Sequence, residues 1–391
     1  MSGLGAIYDI TVAALRKHSA TLSRLQEQAS TSTRIIRSSD SPSEAYQVMG
    51  LDAQKQTLDT YLKNIDSVGM QLNQISSVLE NLSTSLTSTR QLASQAANGT
   101  YSQNDRAVIG AQVDQLLEGM LLLVNSQSMG RYLFSGSAIF DQPYVVTRKD
   151  GQITSASYQG SPQDLPVPVA DGVDESGVLA GSRIFSCSQR QTPVFLGNTG
   201  ARPGSGTSTA CGDVWLRIEH DAAGLKMSID DGATYTPVDF SANQAVADSR
   251  SGKILYVDTS GVTQSGLEPV RVSGTYDLFN MMIGLRDLLM NKQGLTGQQQ
   301  ADLLGEALDS INEVTRGVTQ GITTLGAKQA GMDTLRQTIE TFSQNTKAAA
   351  DSIRDVDIAE LTVELTRSQT FYQMTLAATA KVLNVSLLDY L

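Results

Sequence analysis

The sequence has few of the residues that catalytic and metal sites use. Its 391 residues include two histidines, His18 and His220, and two cysteines, Cys187 and Cys211. Two separated histidines cannot form a zinc-binding HExxH helix, and two cysteines are too few for a disulfide framework or a structural zinc site. Neither a GxSxG nor a GxxxxGK[ST] motif is present. The sequence therefore predicts no enzyme, no cofactor and no metal site, and leaves open whether the cysteines form one disulfide or two thiols.

Basic charge and long apolar runs are also scarce. The formal net charge is −11, which argues against a nucleic-acid binder or a basic membrane-surface protein. The longest apolar run, 120–124, is far shorter than a membrane span, and Arg16, Lys17 and His18 interrupt the N-terminal segment where a secretory signal would be apolar. We expect a cytosolic protein, or one exported without a cleaved signal.

Proline and tryptophan are absent from most of the chain. Eight of the nine prolines, the single tryptophan (Trp215) and both cysteines lie between residues 137 and 275. Aromatic residues make up 5% of the sequence, which is low for compact cores and suits helical bundles with aliphatic seams. The composition predicts two helical ends around a different middle.

The N-terminal half carries a long heptad pattern. From Leu51, seam positions recur at alternating steps of three and four up to Ala96, and all but Gln54 and Thr89 are apolar or aromatic. One seventh-residue row is Leu58, Ile65, Leu72, Leu79 and Leu86. A strand, with its period of two, cannot produce this spacing. We expect one helix that begins near Ser41-Pro42 and ends at Asn98-Gly99.

The C-terminal half repeats the pattern from Leu304 to Val356. Its predicted core positions include Ile311, Val318, Leu325, Leu335 and Ile339, and the same alternation continues through Phe342, Thr346 and Ala349. Gly321 and Lys328 are defects in this stripe, which a bend or a partner contact could explain. Shorter helical segments are expected at 105–129 and 277–290.

Two amphipathic segments lie outside the heptads and form a candidate assembly seam. The seam residues of the first segment are Leu4, Tyr8, Leu15, Leu22 and Leu25, and those of the last are Leu361, Leu365, Tyr372, Leu376, Leu383 and Leu387. An isolated helix cannot bury such a stripe. We infer that neighbouring subunits cover it, and periodicity alone leaves open a self-contained four-helix bundle.

The middle reads as β-structure. Residues 144–147 and 153–158 around Asp150-Gly151 predict one hairpin, and 225–229 and 235–240 around Asp231-Gly232 predict another. We therefore predict an α+β protein in three parts. Residues 1–43 and 357–391 form terminal helices, 44–136 and 276–356 a coiled-coil rod, and 137–275 an inserted β-rich outer domain.

Several short blocks resemble one family. Residues 30–42 (STSTRIIRSSDSP), 91–100 (QLASQAANGT), 131–136 (RYLFSG) and the segment from Ser368 onward resemble bacterial flagellins and their hook-associated relatives. The blocks at 40–42 and 131–136 are more similar to the hook-associated relatives than to filament flagellins. The resemblance covers the terminal two-thirds of the chain and none of the middle.

This resemblance implies a non-enzymatic structural protein that packs into a tubular polymer. It implies export through the flagellar type III channel to the extracellular flagellum. The implied partners are hook-associated protein 1 on the hook side, flagellin on the filament side, further copies of the chain in a ring, and an export chaperone. Two other functions stay open: a flagellin of the filament itself, and a surface-binding middle domain in which Trp215 and Tyr235 stack on a sugar.

Overall fold

The structure is a computed structural model that describes residues 2–222 and 224–388, with side chains from Asp9 to Lys381 and at Ala6. The chain divides into two compact units. The first, here called the terminal unit, contains the chain up to Lys63 and from Leu335 onward. The second, the central unit, comprises Asn64–Thr334. The predicted three-part division is a different partition and stays a prediction.

The described part of the chain contains seven helices. They are α1 (Ser2–Thr31), α2 (Pro42–Ala97), α3 (Gln103–Val124), α4 (Gly181–Phe185), α5 (Leu278–Leu289), α6 (Gly297–Arg354) and α7 (Ile358–Leu388). α2 begins and ends where the proline and the Asn-Gly pair predict. Long helices from both ends of the chain flank a β-rich insertion, so the predicted α+β class is confirmed.

The heptad rows form the buried face of α2 and α6. Ile65, Leu72, Leu79 and Leu86 are buried, as are Ile311, Val318, Leu325 and Ile339. Leu58 and Leu335 are half-buried. Thr89 is fully buried as well, and its hydroxyl donates to the Ser85 carbonyl oxygen at 2.8 Å, which satisfies this buried polar group.

The two defects in the C-terminal heptad stripe have the same explanation. A Cβ atom on Gly321 would lie 3.1 Å from Ile184 Cγ2, so the glycine provides the space in which α4 packs on α6. Lys328 pairs with Glu175, just before α4. Gly177 lies against Gln71 of α2 in the same way. The defects therefore mark where the inserted region docks on the helices.

α3 and α5 complete the helical part of the central unit. Arg286 of α5 is fully buried and donates to Asp114 of α3 at 2.8 Å, and Arg106 donates to the Ala96 carbonyl at the end of α2 at 3.0 Å. α3 has the length and hydropathy of a membrane span, contrary to the sequence expectation. Its residues Val113 and Leu117 are fully buried against the rest of the protein.

Fourteen strands are described, all between residues 127 and 272. They are β1 (Gln127–Ser128), β2 (Arg131–Tyr132), β3 (Tyr144–Lys149), β4 (Gln152–Tyr158), β5 (Val167–Ala170), β6 (Val173–Glu175), β7 (Val194–Phe195), β8 (Arg202–Pro203), β9 (Gly212–Asp221), β10 (Gly224–Ser228), β11 (Thr236–Pro237), β12 (Gln244–Ala247), β13 (Ile254–Asp258) and β14 (Gly266–Val272).

The largest β-structure is a pair of packed sheets. One sheet has five strands in the order β11-β10-β9-β14-β7, and the other has three in the order β12-β13-β8. Leu216, Ile218 and Met227 of the first sheet share one buried cluster with Leu255 and Val257 of the second. Apolar residues at alternate positions of facing sheets make such a core.

Both predicted hairpins are present. β3 pairs with β4 through a turn in which Asp150 and Gly151 have positive φ. β10 pairs with β11, and Asp231 and Gly232, which lie between these two strands, also have positive φ. Asp-Gly tolerates this left-handed backbone, which is why the turn signal was informative. The β5–β6 hairpin and α4 were not predicted.

A cluster of aromatic rings joins the insertion to the helices. Tyr144 contacts Phe279 of α5, Tyr158 of β4 and Phe185 of α4, with ring centroids 4.6, 5.2 and 6.2 Å apart. Phe134 stacks edge-on against Phe185 at 5.1 Å. In a chain with so few aromatic residues, this concentration shows where the connection is built.

Candidate assembly surface

The terminal unit is built on the antiparallel pair α1 and α7. Thr33 and Asp355 form a β-bridge beyond one end of the pair, and the His18 ring stacks on Phe371 at 6.1 Å halfway along it. His18 on α1 and Phe371 on α7 lie at nearly the same distance in sequence from the bridge. The two helices therefore run antiparallel. Leu25 and Leu361 are buried near the bridged end, with 2% and 5% of their surface exposed.

The breaks between α1 and α2 and between α6 and α7 are tied together. Arg34 N donates to the Arg354 carbonyl at 2.7 Å, and Val356 N donates to the Ser32 carbonyl at 3.2 Å. The Arg34 guanidinium also donates to Glu44 at 2.8 Å and to the Ile353 carbonyl at 3.0 Å. The Glu44 carboxylate raises the pKa of Arg34 through this hydrogen bond. The STSTRIIR segment (residues 30–37) therefore holds four chain segments in one joint.

The predicted seam residues differ in burial. Leu25 and Leu361 are buried, and Leu15, Leu22, Leu365 and Tyr372 are half-buried on the facing sides of α1 and α7. Leu376 is 42% exposed. The side chains of Leu4, Tyr8, Leu383 and Leu387 lie outside the described residues. The assembly role of this seam stays a prediction.

The heptad positions predicted for the end of α6 are wrong at Phe342, which is 55% exposed, and at Ala349, which is also exposed. Thr346, a predicted position, is buried, and the other buried positions after Ile339 are Ser343 and Ala350. From Ile339 to Ala350 the steps are four, three and four, which is an eleven-residue period closer to that of an undistorted helix. Phe342 therefore points to solvent, and its apolar character misled the heptad assignment.

The terminal unit exposes more large apolar side chains than it buries. Its buried apolar residues, within the described side chains, are Leu25, Ala45, Val48, Ile339, Ala350 and Leu361. Its large exposed ones are Ile10, Tyr46, Met49, Phe342, Ile358, Val363, Phe371, Met374 and Leu376. The central unit, more than twice as long, has the same number of large exposed residues and most of the buried core. Such a surface is typical of a protein interface.

The described residues contain no group of three metal-ligating side chains, and both cysteines are free and partly exposed. Burial, with the nearby Glu313 carboxylate, raises the pKa of Cys187 to about 11. A thiol held protonated in this way is a poor nucleophile at neutral pH. This resolves the open question about the cysteines: they are two thiols in this structure.

The two aromatic residues considered for sugar stacking have partners within the chain. Trp215 lines a cavity of about 20 Å³ together with Leu288 of α5 and Leu303 of α6. Lys226 Nζ lies 4.2 Å from the Tyr235 ring centroid. Lys226 therefore lies over one face of the Tyr235 ring, and both rings are half-buried.

Two protein-family models match the chain. The bacterial flagellin N-terminal helical region matches residues 6–138, and the bacterial flagellin C-terminal helical region matches residues 308–391. Together they cover more than half of the chain and leave the β-rich middle unmatched.

Individual relatives agree with this assignment. The chain is 28% identical over 141 residues to a flagellar hook-associated protein 3 from Salmonella typhimurium, covering 35% of this chain and 44% of that protein. It is 35% identical over 75 residues to a flagellin from Halalkalibacterium halodurans, covering 19% and 28%. The chain thus spans less than half the length of these curated relatives.

A solved structure shares the fold. The crystal structure of a flagellar hook-associated protein 3 from Legionella pneumophila matches with a TM-score of 0.55 at 17% identity, covering 78% of this chain and 98% of that one. These relatives are structural flagellar proteins and not enzymes, in agreement with the sequence prediction. Because its terminal regions match both flagellin models, the chain belongs to the flagellin family of bacterial flagellar proteins.

Proposed function

We propose that the protein is a structural adaptor of the bacterial flagellum that joins the hook to the flagellin filament. In this role it packs against hook-associated protein 1 on the hook side, against flagellin on the filament side, and against its own copies in a ring. The observation that supports assembly is the terminal unit, in which large exposed apolar side chains outnumber the buried ones among the side chains that the structure describes. Covering them with neighbouring subunits gains hydrophobic free energy that the single chain cannot obtain.

The adaptor is favoured over a filament flagellin by the kind of relatives found. The longer curated match is to a hook-associated protein 3, and the RYLFSG and DSP blocks are more similar to that branch. The flagellin match over 75 residues keeps the filament subunit as the second candidate. In both cases a surface of one copy contacts a different surface of the next, which builds open helical polymers or rings.

Export through the flagellar type III channel, with a dedicated chaperone, is part of this proposal. The chaperone would cover the apolar faces of α1 or α7 before assembly, because such faces aggregate when left in water. The mature protein would then lie outside the cell on the flagellum.

Immunogold labelling of isolated flagella tests the adaptor against the flagellin. The adaptor predicts a single narrow band at the distal edge of the hook, and leakage of unassembled flagellin into the medium when the gene is deleted. Label along the whole filament would contradict the adaptor role and support the filament subunit instead.

Substitution of Leu376 by Asp tests whether the seam carries the assembly. Leu376 is already 42% exposed, so we expect the monomer to keep its helicity and melting temperature while incorporation into flagella is lost. The matched control is Gln373→Asp, which adds the same charge one turn away on an exposed polar residue. Normal junctions built from the Leu376→Asp protein would contradict the seam.

A surface-binding role of the insertion has weaker support, since Trp215 and Tyr235 both contact other residues. Deletion of residues 137–275 separates the two roles. Normal swimming with lost adhesion would support a binding module, whereas unchanged adhesion would exclude it.

A further inference from the structure

Asn98 is the one asparagine of the chain that a glycine follows. It lies directly after the last residue of α2 and begins the link 98–102 to α3. Asn98 and Gly99 are both exposed, and a Cβ atom placed on Gly99 would have no heavy atom within 4 Å. The turn therefore has room for the Asn98 side chain to fold back onto the backbone that follows it.

Thr100 donates two hydrogen bonds to the side-chain carbonyl oxygen of Asn98. Its backbone amide nitrogen lies 3.3 Å and its hydroxyl oxygen 3.2 Å from Asn98 Oδ1. When a nucleophile adds to a carbonyl carbon, negative charge develops on the oxygen, and donors already aimed at that oxygen stabilise the charge. The two Thr100 donors therefore make Asn98 Cγ a better electrophile.

The backbone nitrogen of Gly99 is positioned to be the nucleophile. Among the hydrogen bonds of the described residues none uses the Gly99 N–H, whereas the Asn98 and Tyr101 amides donate to the carbonyls of Gln95 and Asn98. Asn98 Nδ2, the group that would leave, has no hydrogen bond within the described part of the chain either. The attack closes a five-membered ring within two adjacent residues, so no second molecule has to be brought into place.

We propose that Asn98 is a site of spontaneous deamidation that this turn promotes. Gly99 N bonds to Asn98 Cγ, the Cγ–Nδ2 bond breaks, and ammonia leaves with the proton that Gly99 N gives up. Water then adds to one of the two carbonyl carbons of the succinimide ring and opens it, which gives aspartate or isoaspartate. This inference goes beyond the proposed function and does not depend on it, since the reaction needs only the turn and water.

The modification changes the connection between α2 and α3 in two ways. It adds a negative charge at the C-terminal end of α2, where the helix dipole is itself negative. The isoaspartate product also lengthens the backbone of the link, because the chain then runs through the former side chain. Arg106 of α3 donates to the Ala96 carbonyl at 3.0 Å, so the altered link lies beside a buried contact between the two helices.

Two variants test the roles of the donor and the nucleophile. Thr100→Val removes the hydroxyl donor, and Gly99→Ala places a methyl group beside the attacking nitrogen in a position that no other atom occupies. Thr87→Val is the matched control, because it removes another exposed threonine hydroxyl from α2. Each purified protein is incubated at neutral pH, folded and in urea, and peptide mass spectrometry measures the acid products at residue 98. Circular dichroism verifies the helicity of the folded samples.

We expect the folded wild type and Thr87→Val to convert Asn98 at least as fast as the unfolded chain does, and well before their other asparagines. Thr100→Val is expected to slow conversion at least several-fold in the folded protein and to leave it unchanged in urea, because only the fold places the hydroxyl on Asn98 Oδ1. Gly99→Ala is expected to slow conversion in both states.

Two results would overturn the proposal. Slower conversion of the wild type when folded than in urea would show that the turn protects Asn98. Equal conversion of the folded wild type and folded Thr100→Val would show that the Thr100 hydroxyl does not promote the reaction.

Discussion

Asp230 is the most heavily hydrogen-bonded carboxylate of the β-rich insertion. It accepts hydrogen bonds from the hydroxyls of Ser228, Thr234 and Ser249, at 2.7, 2.6 and 2.6 Å, and from two backbone amides. It thereby ties the turn after β10 to the turn after β12. Burial alone would raise the pKa of Asp230, but these hydrogen bonds together hold it well below its usual value.

Replacing Asp230 by Asn is therefore expected to destabilise the insertion at neutral pH by about 1–3 kcal/mol. The folded pKa lies below the unfolded one, so the contribution of Asp230 is present above about pH 4 and is lost as the pH falls further. Urea unfolding followed by the fluorescence of Trp215, the single tryptophan, measures this at pH 7 and pH 3.

The wild type should lose more stability between these pH values than the Asp230→Asn protein. Asp231→Asn is the matched control, because Asp231 is exposed and asparagine tolerates its φ of 54°. An equal pH dependence of wild type and Asp230→Asn would show that Asp230 is not the group responsible.

The apolar periodicity of α2 and α6 predicts which side chains are buried at most positions, but not at all of them. The rows through Leu72 and Ile311 are buried because three-four spacing follows the helix closely over many turns. Phe342 follows the same rule and is exposed, since the packing shifts to an eleven-residue period that only the neighbouring helices determine. Periodicity therefore predicts the helix and the buried positions of its central turns, but not which residues are buried near its C-terminal end.

At the scale of elements, α4 and α6 show how an insertion is accommodated on a helical frame. Ile184 fills the space that Gly321 leaves, and a Cβ on Gly317 would approach the Ile184 carbonyl to 3.1 Å. The sequence marked Gly321 and Lys328 as defects but could not name their partner, because α4 lies more than 130 residues earlier and has no periodic signal. The two hairpins with Asp-Gly turns were predictable from the sequence, whereas the packing of a five-stranded sheet on a three-stranded sheet was not.

Replacement of Gly321 by Val is expected to displace α4, because the valine side chain would occupy the space that Ile184 fills. Overpacking of this kind costs about 1–3 kcal/mol, so we expect the melting temperature of the central unit to fall by several degrees. Gly326→Val is the control: nothing lies within 4 Å of its Cβ position, and valine is the better helix former. Calorimetry compares the two, and hydrogen exchange of residues 181–187 reports on α4. Equal stability of the two variants would contradict the docking role of Gly321.

At the scale of the whole molecule, the two units differ in how far they can stand alone. The central unit holds most of the buried apolar residues, the two packed β-sheets and the aromatic cluster. A fragment of residues 64–334 is therefore expected to be a monomer that unfolds cooperatively, with a Trp215-reported melting temperature within a few degrees of the full chain. It should not incorporate into flagella. An aggregated fragment without a cooperative transition would show that the central unit depends on the terminal helices.

The pairing of α1 with α7 imposes an order in time. Thr33 bridges to Asp355, so the first and last helices of the chain meet across more than three hundred residues. Closing so long a loop has an entropic cost of several kcal/mol while the intervening chain is unfolded, and folding of the central unit shortens the loop. A chain delivered end-first, from a ribosome or through a channel, cannot complete the terminal unit until its last helix has emerged. The part of the molecule that we propose meets its neighbours is then also the part that folds last.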